Sequence, residues 1–164
     1  IVRIIAERGA AEGQNPIEFV VQGSAKDFSP NGVYGALGDL TAAVRVEAVS
    51  DRLSPDEFKK MFESLDAVLL PYDVSVYGLQ GSGVIQDAVL AQKPVIYSKG
   101  MAMKEVLKWG NAIDASTDLQ FAEAILKTMD VIHAFRSAAA IAAHFYRSQA
   151  TDPSWMQSLV RARL

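Results

Sequence analysis

YGLQGSGVIQDAVLAQKPVIYSKG, residues Tyr77–Gly100, places a glycine turn (Gly81, Ser82, Gly83) before a short apolar helix. A second turn (Ser98, Lys99, Gly100) follows the Val-Ile run after Pro94. A β-branched run bounded by turn residues reads as a parallel strand covered on both faces, and a helix leading into it is half of a βαβ repeat. In open sheets of that kind the strand-to-helix turns gather at the carboxyl edge, where helix N-termini present free N–H groups. Both glycine turns belong to that edge, so the stretch predicts the fold class and the position of a ligand site together.

Outward from this unit the pattern repeats. IEFVVQG (17–23), VRVEAV (44–49) and AVLLP (67–71) join PVIYS (94–98) as short apolar runs with little strict alternation, and NAID (111–114) is a weaker fifth. Helical segments separate them, which predicts a three-layer α/β sandwich around a parallel sheet. In LSPDEFKKMFESL, Ser54 caps, Pro55 takes the first helical position and Glu57 completes a capping box. Phe58, Met61, Phe62 and Leu65 then share one face. Ser116 or Thr117 caps DLQFAEAILKTM, and a long helix follows Asp130. Pro153 opens a short terminal helix, so residues 1–150 read as the domain and 151–164 as a helical tail. Ile1, Ile4 and Ile5 with Arg3 and Arg8 read as an amphipathic helix already under way at the first residue, as expected of a chain that starts inside a larger protein.

The composition narrows the function. A chain of 164 residues has the length of one domain and buries roughly 68–70% of its unfolded surface. Half of it is hydrophobic and a fifth charged, so disorder is not expected. A net charge of −3 supplies no cationic field for nucleic acid, leaving room only for a local cationic pocket. The absence of cysteine removes disulfides, thiolate nucleophiles and zinc ribbons. No run reaches the ~20 apolar residues of a membrane span, and the N-terminal residues do not read as a signal peptide. His133 and His144 sit in the late helices without a partner serine or carboxylate, which argues against a triad or a metal site. Trp109 and Trp155 read as packing residues.

The candidate site is therefore the pair of turns. Gly81 and Gly83 permit close backbone approach, and Ser82 can cap the helix or bind an anion. Asp87, one turn above Gly83 on the same face, is within reach of a ribose diol when a phosphate sits at the helix N-terminus. Lys99 can add a positive charge and Gly100 a close backbone contact. Each has an ordinary alternative: loop chemistry for the glycines, a solvated helix residue for Asp87 and a surface lysine for Lys99.

Taken together, LSPDEFKKMFESLDAVLLPY, SGVIQDAVLAQKPVIYSKG and EVLKWGNAIDASTDLQFAEAI resemble the C-terminal half of a retaining GT-B fold glycosyltransferase of the family 4 (group 1) type, over about residues 17–127. The resemblance implies a Rossmann-like domain, lacking its first strand, that binds a nucleoside diphosphate sugar. Of that family's Glu-x7-Glu pattern, the second, ribose-binding glutamate aligns with Asp87. The first aligns with Leu79, a departure that Gln80 offsets only after a shift of register. Gly81–Gly83 contact the diphosphate by the same comparison, and the loop around Val49 lies near the base.

The parent enzyme is expected to transfer a sugar from the nucleotide donor to an acceptor with retention, with no essential metal and no cofactor besides that substrate. Its acceptor domain, its Arg and Lys phosphate clamp and its catalytic histidine are expected before Ile1, so the resemblance assigns no catalytic residue here and implies an inactive fragment. It also implies a cytoplasmic enzyme, with room for peripheral membrane attachment of the full-length protein. Alternatives are a GT-B nucleotide-sugar epimerase half and a binding-only relative. A receiver-like signalling domain shares the βα order but requires an aspartate where this chain has Pro71.

Overall fold

The computed structural model describes residues 1–8, 16–32, 34–35 and 44–151. The expected tail lies outside these residues apart from position 151. The element order is α1 (Val2–Arg8), β1 (Ile17–Gly23), β2 (Val44–Ser50), α2 (Pro55–Ser64), β3 (Val68–Leu70), α3 (Val74–Tyr77), α4 (Gly83–Leu90), β4 (Val95–Ser98), α5 (Lys104–Leu107), β5 (Ala112–Ala115), α6 (Asp118–Asp130) and α7 (Ile132–Thr151). All five expected strands are present, and every pairing among the described residues is parallel. The chain divides into two compact units, Ile1–Met61 and Phe62–Leu164.

In the first unit β1 pairs with β2 from Ile17↔Val44 to Gly23↔Ser50, and α1 packs on β2. Ile5 and Ala6 are the buried residues of α1, in keeping with the expected amphipathic helix. Cover on both faces does not hold for β2. Arg45, Glu47 and Ala48 are exposed there, since the charged residues alternate with Val44 and Val46 and cannot be desolvated cheaply. After β1 the chain closes a tight turn in which the Ser24 N–H and Oγ–H donate to Asp27 Oδ2 at 2.8 and 2.6 Å. Phe28 and Tyr34 stack beside it with ring centroids 5.2 Å apart.

The capping box at the start of α2 is fully formed. The Ser54 N–H and Oγ–H donate to Glu57 Oε2 at 2.8 and 2.6 Å, and the Glu57 N–H returns a 3.3 Å bond to Ser54 Oγ. These bonds hold the Glu57 carboxyl below its ordinary pKa, as the Ser24 bonds do for Asp27.

The second unit carries the sheet β3-β4-β5. Its registers run Val68↔Val95 to Leu70↔Tyr97 and Val95↔Ala112 to Ser98↔Ala115. β4 is central and nearly continuous in its burial, as a parallel strand paired on both edges requires. Helix α4 packs on β4 and on α7, and α6 packs on β4, β5 and α7. Ile85, Ala88 and Val89 of α4 and Ala139, Ala142 and Ala143 of α7 are fully buried. Side chains as small as alanine let two helices approach closely, which explains the alanine-rich run after Arg136.

Two local devices fix the ends of this unit. At the C-terminus of α4, Gln92 adopts φ 57°, its N–H donates to the Val89 carbonyl at 3.0 Å and the Lys93 N–H donates to the Ala88 carbonyl at 2.9 Å. This is a Schellman motif with glutamine where glycine is usual. Lys93 Nζ reaches back to the Glu63 and Leu65 carbonyls at 2.8 and 2.6 Å, where α2 ends. Asn111, fully buried, donates from Nδ2 to the Val106 carbonyl at 3.0 Å and accepts the Trp109 N–H at Oδ1 at 3.3 Å, closing the α5–β5 turn.

Candidate functional site

Because β3, β4 and β5 are parallel, the segments that follow them emerge at one edge, and the first two touch. The Ala102 N–H donates to the Tyr77 carbonyl at 3.1 Å, tying the β4–α5 turn to the β3–α4 segment. The Ser82 N–H donates to Met103 Sδ at 3.2 Å. A Cβ at Gly78 would lie 3.7 Å from the Gly100 carbonyl oxygen, and one at Gly100 would lie 3.1 Å from Val74 Cγ1. The two turns that the sequence placed at a common edge are thus in direct contact.

The β3–α4 segment is more ordered than a glycine turn alone implies. Asp73 accepts the Ser75 N–H at 2.8 Å and starts the single helical turn α3. Hydrogen bonding from the Ser75 side chain, and then from its N–H, holds the Asp73 carboxyl below its ordinary pKa. Tyr72 and Tyr77 stack at 4.5 Å. Burial, and then the neighbouring Tyr77, raises the Tyr72 phenol; burial and then Asp114 raise that of Tyr97. Both remain neutral hydroxyls over the physiological range.

The glycines differ in the reason for their presence. Gly78 is dictated by space, since a Cβ there would fall 2.7 Å from the Val74 carbonyl oxygen. Gly100 is dictated by its backbone, at φ +100°. Gly81 and Gly83 have neither reason: a Cβ at Gly81 meets only Met103 Sδ, at 3.8 Å, and one at Gly83 meets nothing within 4 Å. What their missing side chains provide is open space over the amide end of α4.

Ser82 is the N-cap of α4 and only 5% exposed, yet its side chain makes no capping bond. The corresponding side chains of Asp73 and Thr117 both do so for α3 and α6. Asp87 is exposed on α4, one turn beyond Gly83. Gln80 and Leu79 are exposed just before the glycine turn, Leu79 fully so. Lys99 points its Nζ toward Asp114 Oδ2 at 4.0 Å, a solvent-exposed pair of small energetic weight, while its N–H donates to the Ala115 carbonyl at 2.8 Å. Val49 belongs to the first unit, opposite Gln22 and one residue before the end of β2.

The structure therefore brings Gln80, Gly81, Ser82, Gly83, Asp87, Lys99 and Gly100 to one edge of one sheet, while Val49 lies in the other compact unit. Sequence reasoning missed Tyr77 and Met103, which join the turns. No local pattern marks them, because the Met103 bond spans 21 residues. His133 and His144 are exposed on α7. Among the described residues no group of three or more His, Cys, Asp or Glu side chains is placed to hold a metal ion, and no helix is long and apolar enough to cross a membrane.

Chemically, the edge offers helix N–H groups facing open space, a nearby carboxylate and a lysine, a set suited to an anionic ligand that also carries hydroxyls. No protein-family model matches the chain, and no curated protein matches it.

Proposed function

We propose that the chain is the donor-binding half of a retaining GT-B fold glycosyltransferase of the family 4 type, with helices layered on both faces of a parallel, Rossmann-like sheet. The parent enzyme transfers a sugar from a nucleoside diphosphate sugar to an acceptor held largely by another domain. The observation that supports this reading is the meeting of the two turns beside an α4 amide end that Gly81 and Gly83 leave open without steric need.

In this reading the N–H groups around Gly81, Ser82 and Gly83 bind the diphosphate, helped by the positive end of the α4 dipole. Asp87 accepts hydrogen bonds from the ribose diol. Lys99 and Gly100 approach the phosphates from the second turn, and Gln80 approaches the sugar. The chemical task is to stabilise charge on the departing diphosphate, which fixed N–H dipoles and a nearby cation do without reorganisation. A second reading, a binding-only relative, is favoured by Leu79, an exposed apolar side chain where the resemblance expects a carboxylate.

Calorimetric titration of the chain with UDP, GDP and ADP tests the proposal. One nucleotide is expected to bind, and Asp87→Ala is expected to weaken it roughly ten- to a hundredfold, the worth of one or two hydrogen bonds to a charged group. Absence of binding to all three, by this chain and by its full-length parent, overturns the reading. Binding without sugar transfer or donor hydrolysis by the parent selects the binding-only alternative.

A further inference from the structure

One N–H at the otherwise open amide end of α4 already has a partner. The N–H of the N-cap residue Ser82 donates to Met103 Sδ. A thioether is a weak acceptor. A phosphoryl oxygen is a strong one, favoured further by the helix dipole, so this partner is one an anionic ligand outcompetes and a neutral ligand does not. The backbone that delivers the sulfur is itself unusual: Met103 sits at φ 71°, ψ 26°, a left-handed conformation that a long side chain rarely adopts. Such residues persist where the surroundings hold them and cluster at ligand clamps and switches. Ser82 is more than nine-tenths buried and leaves its hydroxyl out of the capping role that Thr117 and Asp73 perform for their helices.

We propose that Met103 is a displaceable plug of the glycine-turn site. In the unliganded chain its sulfur occupies the Ser82 N–H; on binding, a diphosphate oxygen takes that N–H and the thioether moves aside, with the Ser82 hydroxyl free to become a second donor to the same group. The plug deepens the nucleotide-binding reading and rests on it. It makes Met103 a determinant of affinity and of selectivity for anionic over neutral ligands, and it involves no bond making or breaking.

The test titrates inorganic pyrophosphate and UDP into the wild-type chain, Met103→Leu and Met103→Ala, following heat and the Ser82 amide resonance together. Leucine keeps most of the side-chain volume but offers no acceptor, and alanine also clears the space, so one variant serves where the other packs poorly. Both variants are expected to bind pyrophosphate roughly three- to tenfold more tightly, the worth of one weak hydrogen bond no longer displaced. The Ser82 amide of the unliganded variants should also shift from its wild-type position. Equal or weaker affinity in the variants, with the Ser82 amide still responding to ligand, overturns the plug and leaves the nucleotide reading standing. No binding by any of the three proteins overturns the plug, and the nucleotide reading falls with it when the full-length parent also fails to bind.

Discussion

Asn111→Ala should destabilise the second unit by about 3 kcal/mol, because one side chain holds two backbone groups, the Val106 carbonyl and the Trp109 N–H. The amide is fully buried and its Nδ2 bond to the Val106 carbonyl is 3.0 Å long in a buried setting. Removing the donor strands that carbonyl at a cost of about 1–3 kcal/mol. The 3.3 Å bond from the Trp109 N–H is longer and only part-buried, worth about 0.5 kcal/mol. Emptying the amide's volume adds about 1 kcal/mol. Urea unfolding followed by far-UV circular dichroism should show the midpoint falling with an unchanged slope.

Asn111→Asp sharpens the argument. Burial raises the new carboxyl's folded-state pKa above its unfolded value, and only the protonated form can donate to the Val106 carbonyl. Its stability relative to Asn111→Ala should therefore be greatest below the ordinary aspartate pKa of about 3.9 and decline as pH rises toward the raised folded value. A loss under about 1 kcal/mol in the alanine variant, or a gap between the two variants that does not change with pH, would refute the reasoning.

Gln92→Gly should stabilise the second unit by about 1 kcal/mol, since glycine occupies the left-handed position at the end of α4 without strain. Thermal unfolding should register this as a rise of roughly 2–4 °C, and no rise would mean that the glutamine side chain contributes packing of similar size. The carboxyls of Asp27, Glu57 and Asp73 are each held low by side-chain and then backbone hydrogen bonds from Ser24, Ser54 and Ser75. The stability they contribute is complete above their unfolded values and is lost as pH falls through the lowered folded ones. Carboxyl NMR titration should place Glu57 below its ordinary value and Ser54→Ala should return it upward; Glu57 titrating at its ordinary value in the wild-type chain contradicts the capping geometry.

The sequence by itself determined the five strands, the longer helices and the parallel pairing, but not the single turns α3 and α5 or the division of the strands into a two-stranded and a three-stranded sheet. Val and Ile runs such as Pro94–Ser98 are too short for helices and too apolar for an exposed surface, and helix signals separate them. It also determined the cap of α2, because Ser54 and Glu57 interact within one helical turn, where spacing alone fixes the partners, whereas for α6 it left Ser116 and Thr117 open, and the cap falls at Thr117 in the structure. It placed the two glycine turns at a common edge, since parallel strands leave no other arrangement.

Only the tertiary structure decided what those turns touch. That Met103 gives its sulfur to Ser82, that Tyr77 accepts from Ala102 and that Lys99 faces Asp114 are contacts between separate segments, and nothing in local spacing encodes them. It also separated the glycines. Gly78 and Gly100 are required by crowding and by a positive φ, while Gly81 and Gly83 are not. Four identical letters carry that difference only once the neighbouring backbone and side chains stand around them, because a missing Cβ acquires its meaning from the space it leaves.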